Sequence, residues 1–241
     1  MSIKVLGPYN SGTNLLINIL RCNVQSVSTG NDVKVFSNNH LELWKHCNNE
    51  STIKSFLDKN QETNIIFVYK NFLSLIHSFK KQSYNIGFKN IFKDKIYFRG
   101  RLMNDEKHIL PAYESFSEFY YQYYRTFWNI LEDPKYKRRV VFVNYEKIID
   151  KSTCFAYIDT ILRQRFDCNI KSYNHVITEL GKPSKRHHAT VNNSDEALQS
   201  IRGNKKKIYK ELMSQDVKIL KNFDNAIIEY YEHPKKRLNE F

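Results

Sequence analysis

Apolar residues follow two rhythms along this chain. A short continuous run, Ile3 to Leu6, leads into a glycine-containing turn, and apolar positions then recur every three or four residues from Thr13 to Leu20. A continuous run bounded by turn residues reads as a buried strand, and the longer spacing reads as a helix with one apolar face. Val24 to Phe36, interrupted by Thr29-Gly30-Asn31-Asp32, predicts two extended pieces joined by a turn. Ser51 to Lys59 predicts a short helix that ends in the polar run Asn60 to Asn64. The strongest strand signal is Ile65 to Tyr69 within residues 64–70, closing at Lys70-Asn71 before helical spacing through Leu73, Ile76 and His77. Ser115 to Leu131 predicts an aromatic helix capped by Ser115 and stopped before Pro134. Arg139 to Tyr145 predicts a second strong strand, and Cys154 to Phe166 another helix. Strands alternating with helices in this order predict an α/β fold, a three-layer sandwich with a mainly parallel central sheet.

Elsewhere the pattern weakens. Residues 80–111 lack a clear period and are too long for a plain connection, so they read as a lid or acceptor-binding insertion. Residues 181–193 are polar and loop-like. Helical spacing returns over Asn204 to Leu220 and Phe223 to Tyr231, marking 194–233 as a helical C-terminal part, and Pro234 to Arg237 form a basic tail. With no internal repeat or sustained heptad, residues 1–241 read as one domain.

Composition narrows the partners. Thirty-eight Lys and Arg against 25 Asp and Glu give a formal net charge of +13, which predicts attraction to something acidic. A nucleotide, a nucleic acid, a sulfated or acidic glycan and a membrane surface all qualify. No run has the apolar length of a membrane span. The strand pattern starts by Ile3 and leaves no room for a signal peptide, so a soluble, cytoplasmic or otherwise intracellular protein is expected. Cys22, Cys47, Cys154 and Cys168 lack paired spacing and read as reduced thiols; no metal site is expected.

Candidate chemistry starts at Gly7-Pro8-Tyr9-Asn10-Ser11-Gly12-Thr13-Asn14. Its two glycines have the spacing of a nucleotide phosphate loop, but Thr13 and Asn14 stand where a Walker loop needs Lys and then Ser or Thr. An ATPase or GTPase reading therefore loses its chemistry, and a divergent P-loop kinase stays open at a lower rank because no magnesium carboxylate is recognisable. Backbone N–H groups of Ser11, Gly12 and Thr13 at a helix start remain suited to an anion. The same residues also fit an ordinary glycine turn into a helix capped by Ser11, Thr13 or Asn14.

Several short stretches, taken in order, resemble the nucleotide-dependent sulfotransferases, which use 3'-phosphoadenosine 5'-phosphosulfate (PAPS). Ser11-Gly12-Thr13 is similar to the core of that family's 5'-phosphosulfate loop, and Trp44-Lys45-His46 to a segment carrying a lysine and a catalytic histidine. Residues 68–78 resemble its 3'-phosphate segment, with Lys70 at a strand end and Ser78 eight positions later. Residues 143–148 resemble a strand ending in Tyr-Glu, and Ile201-Arg202-Gly203 with Lys205 to Lys207 resembles a basic glycine segment returning to the 3'-phosphate.

The resemblance implies a sulfuryl transfer that leaves adenosine 3',5'-bisphosphate. It implies that Ser11, Gly12, Thr13 and Asn14 hold the 5' end of the donor. Lys70, Ser78, Arg202 and Gly203 hold the 3' end, and Tyr145 faces adenine. His46 is the implied base, for a hydroxyl acceptor such as a glycan. The family usually carries a cation where this chain has Asn10, so Lys45 is the leading substitute, with Asn10 orienting the sulfate and Arg99 or Arg101 as further cations. The alternative is a catalytically inactive nucleotide- or polyanion-binding protein on the same fold. Charge alone also admits nucleic acid, which the resemblance ranks lower. Glu146 reads as a structural hydrogen-bonding group, His187-His188 as a polar loop, and the aromatic residues of 115–131 as core.

Overall fold

The computed structural model describes residues 1–36, 43–81, 86–87, 97–98, 113 and 116–181. Strand β1 (Ser2–Leu6) runs into helix α1 (Thr13–Leu20), followed by β2 (Val24–Ser26) and β3 (Lys34–Phe36). Helix α2 (Glu50–Lys59), strand β4 (Thr63–Tyr69) and helix α3 (Phe72–Lys81) come next. Two short strands, β5 (Ile86–Gly87) and β6 (Tyr97–Phe98), pair with each other. The long helix α4 (Phe116–Glu132), strand β7 (Val140–Asn144), the single turn α5 (Tyr145–Ile148), helix α6 (Cys154–Phe166), strand β8 (Cys168–Ile170) and helix α7 (Tyr173–Gly181) complete the described chain.

This is a mixed α/β fold with a parallel sheet. Its strands lie in the order β3-β1-β4-β7, all parallel. Both faces are buried, which explains why β4 and β7 read as unbroken apolar runs. Ile65, Phe67, Val140 and Phe142 join one apolar cluster with α2, α3 and α4, while Ile66, Val68, Val141 and Val143 join another with α1 and α6. The period of two along each strand thus divides the core between two layers.

The aromatic residues of α4 form core, as their helical spacing predicts. Phe116, Phe119, Tyr120, Tyr123, Tyr124 and Phe127 are all buried on the face toward the sheet. Phe127 stacks on Phe67 with ring centroids 4.0 Å apart.

The structure corrects the reading at one boundary. Tyr145 is outside β7: Asn144 ends the strand, and its side chain accepts from the Glu146 and Lys147 amides, so the chain turns into α5. The Asn144 cap satisfies two of the orphan amides at this helix start. Lys70 follows β4 directly, where the strand reading of Ile65 to Tyr69 closes. The two extended pieces expected over 24–36 are present as β2 and β3, and they lie in different sheets, β2 pairing antiparallel with β8. Strand β8 is three residues long and carries no readable period.

Candidate functional site

The sheet order dictates where a ligand site belongs. The chain leaves β1 toward β3 on one side and returns to β4 on the other, so the crevice at the carboxyl ends of β1 and β4 is the switch point of the sheet. Open parallel sheets bind ligands at such a point, because the outgoing loops diverge there. The loop of residues 7–12 leaves β1 at this end, and Lys70 leaves β4 beside it.

The loop is held by glycine chemistry at two positions. A Cβ on Gly7 would lie 2.6 Å from Ser11 Oγ and 3.1 Å from the Val68 carbonyl. Gly12 caps α1 at a φ of 89°, and a Cβ there would lie 2.4 Å from the Tyr145 ring. Asn10 also adopts a positive φ, 62°, a conformation that asparagine tolerates better than most residues. No side chain caps α1, and its first turn holds no acidic residue. Ser11 Oγ is buried without a hydrogen-bond partner.

Two ammonium groups from other segments converge on this loop. Lys70 Nζ donates to the Asn10 carbonyl at 2.9 Å and to Ser78 Oγ at 2.7 Å, and it sits 4.0 Å from the centroid of the Tyr145 ring, a cation–π distance. Lys45 Nζ donates to Asn14 Oδ1 at 2.7 Å. The position that lacks a cation in sequence is therefore flanked by lysines brought in through Asn10 and Asn14.

Lys70 is positioned from its backbone. Its amide donates to Tyr124 Oη at 3.0 Å, and Tyr120 donates to its carbonyl at 3.2 Å. The α4 tyrosines are thus core through their rings and site supports through their hydroxyls. Sequence reasoning missed this second role, since a stripe at helical spacing carries no mark of where its hydroxyls end.

His46 is tied to the same loop. The Gly7 amide donates to the Lys45 carbonyl at 2.9 Å, and His46 Nδ1 lies 2.7 Å from the Gly7 carbonyl. A carbonyl only accepts, so Nδ1 carries the hydrogen and Nε2 keeps the lone pair. The ring stacks on Tyr9, with centroids 4.2 Å apart, and Trp44 meets both edge-on. Burial first, and then the charge of Lys45, pull His46 down to about 3, against the Gly7 bond that pulls the other way. Lys4, fully buried in the middle of β1, is lowered to about 8 by burial and then by Lys45. A lysine inside the apolar run Ile3 to Leu6 marks in sequence a buried cation at this sheet.

The structure therefore gathers Asn10, Ser11, Gly12, Thr13, Asn14, Lys45, His46, Lys70, Ser78 and Tyr145 at one end of the sheet. Arg202 and Gly203, with Arg99, Arg101, His187 and His188, lie outside the described residues, as do most of 80–111 and all of 194–233. Among the described residues, no helix is long and apolar enough to cross a membrane. Comparison with protein-family models, curated proteins and solved structures finds no match for the chain.

Proposed function

We propose that this chain is a PAPS-dependent sulfotransferase of three-layer α/β architecture, moving a sulfuryl group to a hydroxyl of a glycan or another biomolecule. The observation that carries the reading is the Lys70 ammonium, which bridges the Asn10 carbonyl of the loop and the Ser78 hydroxyl. A donor with phosphate at both ends of its ribose needs two neighbouring anion sites. The loop at the start of α1 and the Lys70–Ser78 pair supply them at one switch point. The orphaned Ser11 Oγ and the uncapped start of α1 fit such a donor, since a phosphate oxygen satisfies both.

In this reading Ser11, Gly12, Thr13 and Asn14 hold the 5' end. Lys70, Ser78 and Tyr145 hold the nucleoside end together with Arg202 and Gly203. The acceptor oxygen bonds to sulfur as the bond from sulfur to the bridging oxygen breaks, leaving adenosine 3',5'-bisphosphate. His46 takes the acceptor proton at Nε2. Lys45 offsets the charge developing on the bridging oxygen, in place of the cation absent at Asn10, whose amide helps orient the sulfate. Negative charge entering the site opposes the pull of Lys45 on His46, so the base strengthens as the site fills.

One observation favours the alternative, a catalytically inactive nucleotide- or polyanion-binding protein: an imidazole held near 3 is a weak base. Incubation with radiolabelled PAPS and a panel of hydroxyl acceptors separates the two. Sulfated acceptor and adenosine 3',5'-bisphosphate are expected together, with His46→Gln and Lys45→Ala each lowering turnover by about 100-fold or more. Tight binding of the bisphosphate without turnover on any acceptor selects the inactive alternative, and absence of binding overturns both.

A further inference from the structure

The residue after Tyr145 has no part in the chemistry above, yet its placement is unusual. Glu146 lies in the first turn of α5, and both of its carboxylate oxygens are buried with no well-formed hydrogen bond. An isolated buried carboxylate is costly unless something nearby compensates it. The Ser74 hydroxyl on α3 lies beside it, itself buried, together with the backbone amide of Asn71. Among the described residues, the charged or titratable groups facing it are Lys70 at the end of β4, Tyr145 on α5 and Tyr157 on α6. Lys70 is the one cation among them.

The geometry points to Glu146 as the proton-linked counter-charge of Lys70, ionised against the ammonium when no anion is bound and protonated when an anionic phosphate group reaches Lys70. The inference rests on the reading that Lys70 faces the donor. Its logic is charge conservation in a confined space. The Lys70 ammonium touches Ser78, the Asn10 carbonyl and the Tyr145 ring, with the Glu146 carboxylate close by. A phosphate placed against that ammonium meets a carboxylate of like sign within the same dry layer. Moving the anion away is open only to the ligand, whereas taking up a proton is open to Glu146. The Ser74 hydroxyl beside it donates to the ionised carboxylate and can accept from the protonated one. Burial already raises the Glu146 carboxyl above its ordinary range, opposed by Ser74, by the Lys70 charge and by the amides of Glu146 and Asn71. The group is thereby biased toward taking a proton before any ligand arrives.

The test is titration calorimetry of adenosine 3',5'-bisphosphate in paired buffers of different ionisation enthalpy, over about pH 5 to 9. The wild-type protein is expected to take up as much as about one proton per ligand in a window above the ordinary carboxylate range, and to lose affinity by up to about tenfold per pH unit there. Glu146→Gln keeps the shape and is expected to abolish both effects in that window. Unchanged proton uptake in Glu146→Gln overturns the inference while leaving the donor reading intact. If the bisphosphate does not bind at all, the donor reading fails instead, and Glu146 is then judged by stability without ligand. There the wild type should lose stability relative to Glu146→Gln as pH rises above the ordinary carboxylate range, because the folded carboxyl binds its proton more tightly than the unfolded one. Parallel pH profiles for the two proteins overturn the inference.

Discussion

His46 sits where burial and a neighbouring cation both disfavour its charged form. The folded imidazole titrates at about 3 and the unfolded one near 6.5, so between those values the unfolded chain binds more protons. The stability that comes from keeping this ring neutral is complete above the unfolded value and is lost as pH falls toward the folded one. Relative to His46→Gln, the wild-type protein is therefore expected to lose up to about 1.4 kcal/mol per pH unit across that window, read from urea midpoints at a series of pH values. Parallel curves would show that the ring is accessible to water in solution. The side chain was found in the sequence by its neighbours Trp44 and Lys45. Its burial was not, because residues 47–49 carry no apolar period, yet Cys47 and Asn48 are buried with it.

Short elements decide how side chains enter the site. The turn α5 exists because Asn144 Oδ1 accepts from the Glu146 amide at 2.8 Å and the Lys147 amide at 3.3 Å, and Tyr157 holds the Asn144 amide in turn. Tyr145 and Glu146 both ride on that turn. Asn144→Ala is expected to cost about 1 kcal/mol of stability, the usual effect of losing such a cap. It should also weaken adenosine 3',5'-bisphosphate binding, measured by calorimetry at a temperature where the variant is folded. Lost stability with unaltered affinity would detach α5 from the site. This cap was hidden in sequence by the apolar run Val140 to Val143, which carries the strand reading on into Tyr145. The helices α1, α2 and α4 were legible to within a residue, since each repeats its apolar face over two turns or more.

The parallel sheet separates stability from chemistry by its two ends. At the amino ends of β4 and β7, opposite the loop, Arg139 donates to the carbonyls of Leu57, Asn60 and Thr63, clamping α2, its following turn and β4 together. Arg139→Ala leaves three carbonyls without their donor and is expected to cost about 2–4 kcal/mol. Because the clamp is remote from Lys70 and the loop, ligand affinity of the folded fraction should stay within about twofold. A large change in affinity with a small change in stability would mean that the two ends are coupled. The net charge of +13 belongs to the whole chain, and among the described residues the switch point between β1 and β4 brings Lys45 and Lys70 to one loop.

Buried periodicity determined the strand–loop–helix opening, the runs of β4 and β7 and the aromatic face of α4, because apolar spacing is a local property that burial enforces along each element. The resemblance of residues 68–78 to a sulfotransferase 3'-phosphate segment linked Lys70 to Ser78, and the two side chains meet at 2.7 Å. Only the tertiary structure decided that Lys70 reaches the Asn10 carbonyl, that Asn14 anchors Lys45, that Tyr120 and Tyr124 hold the end of β4, and that Glu146 is buried beside Lys70. Those contacts join segments far apart in the chain. They depend on strand order and on the direction in which each side chain leaves its element, and neither leaves a trace in local composition.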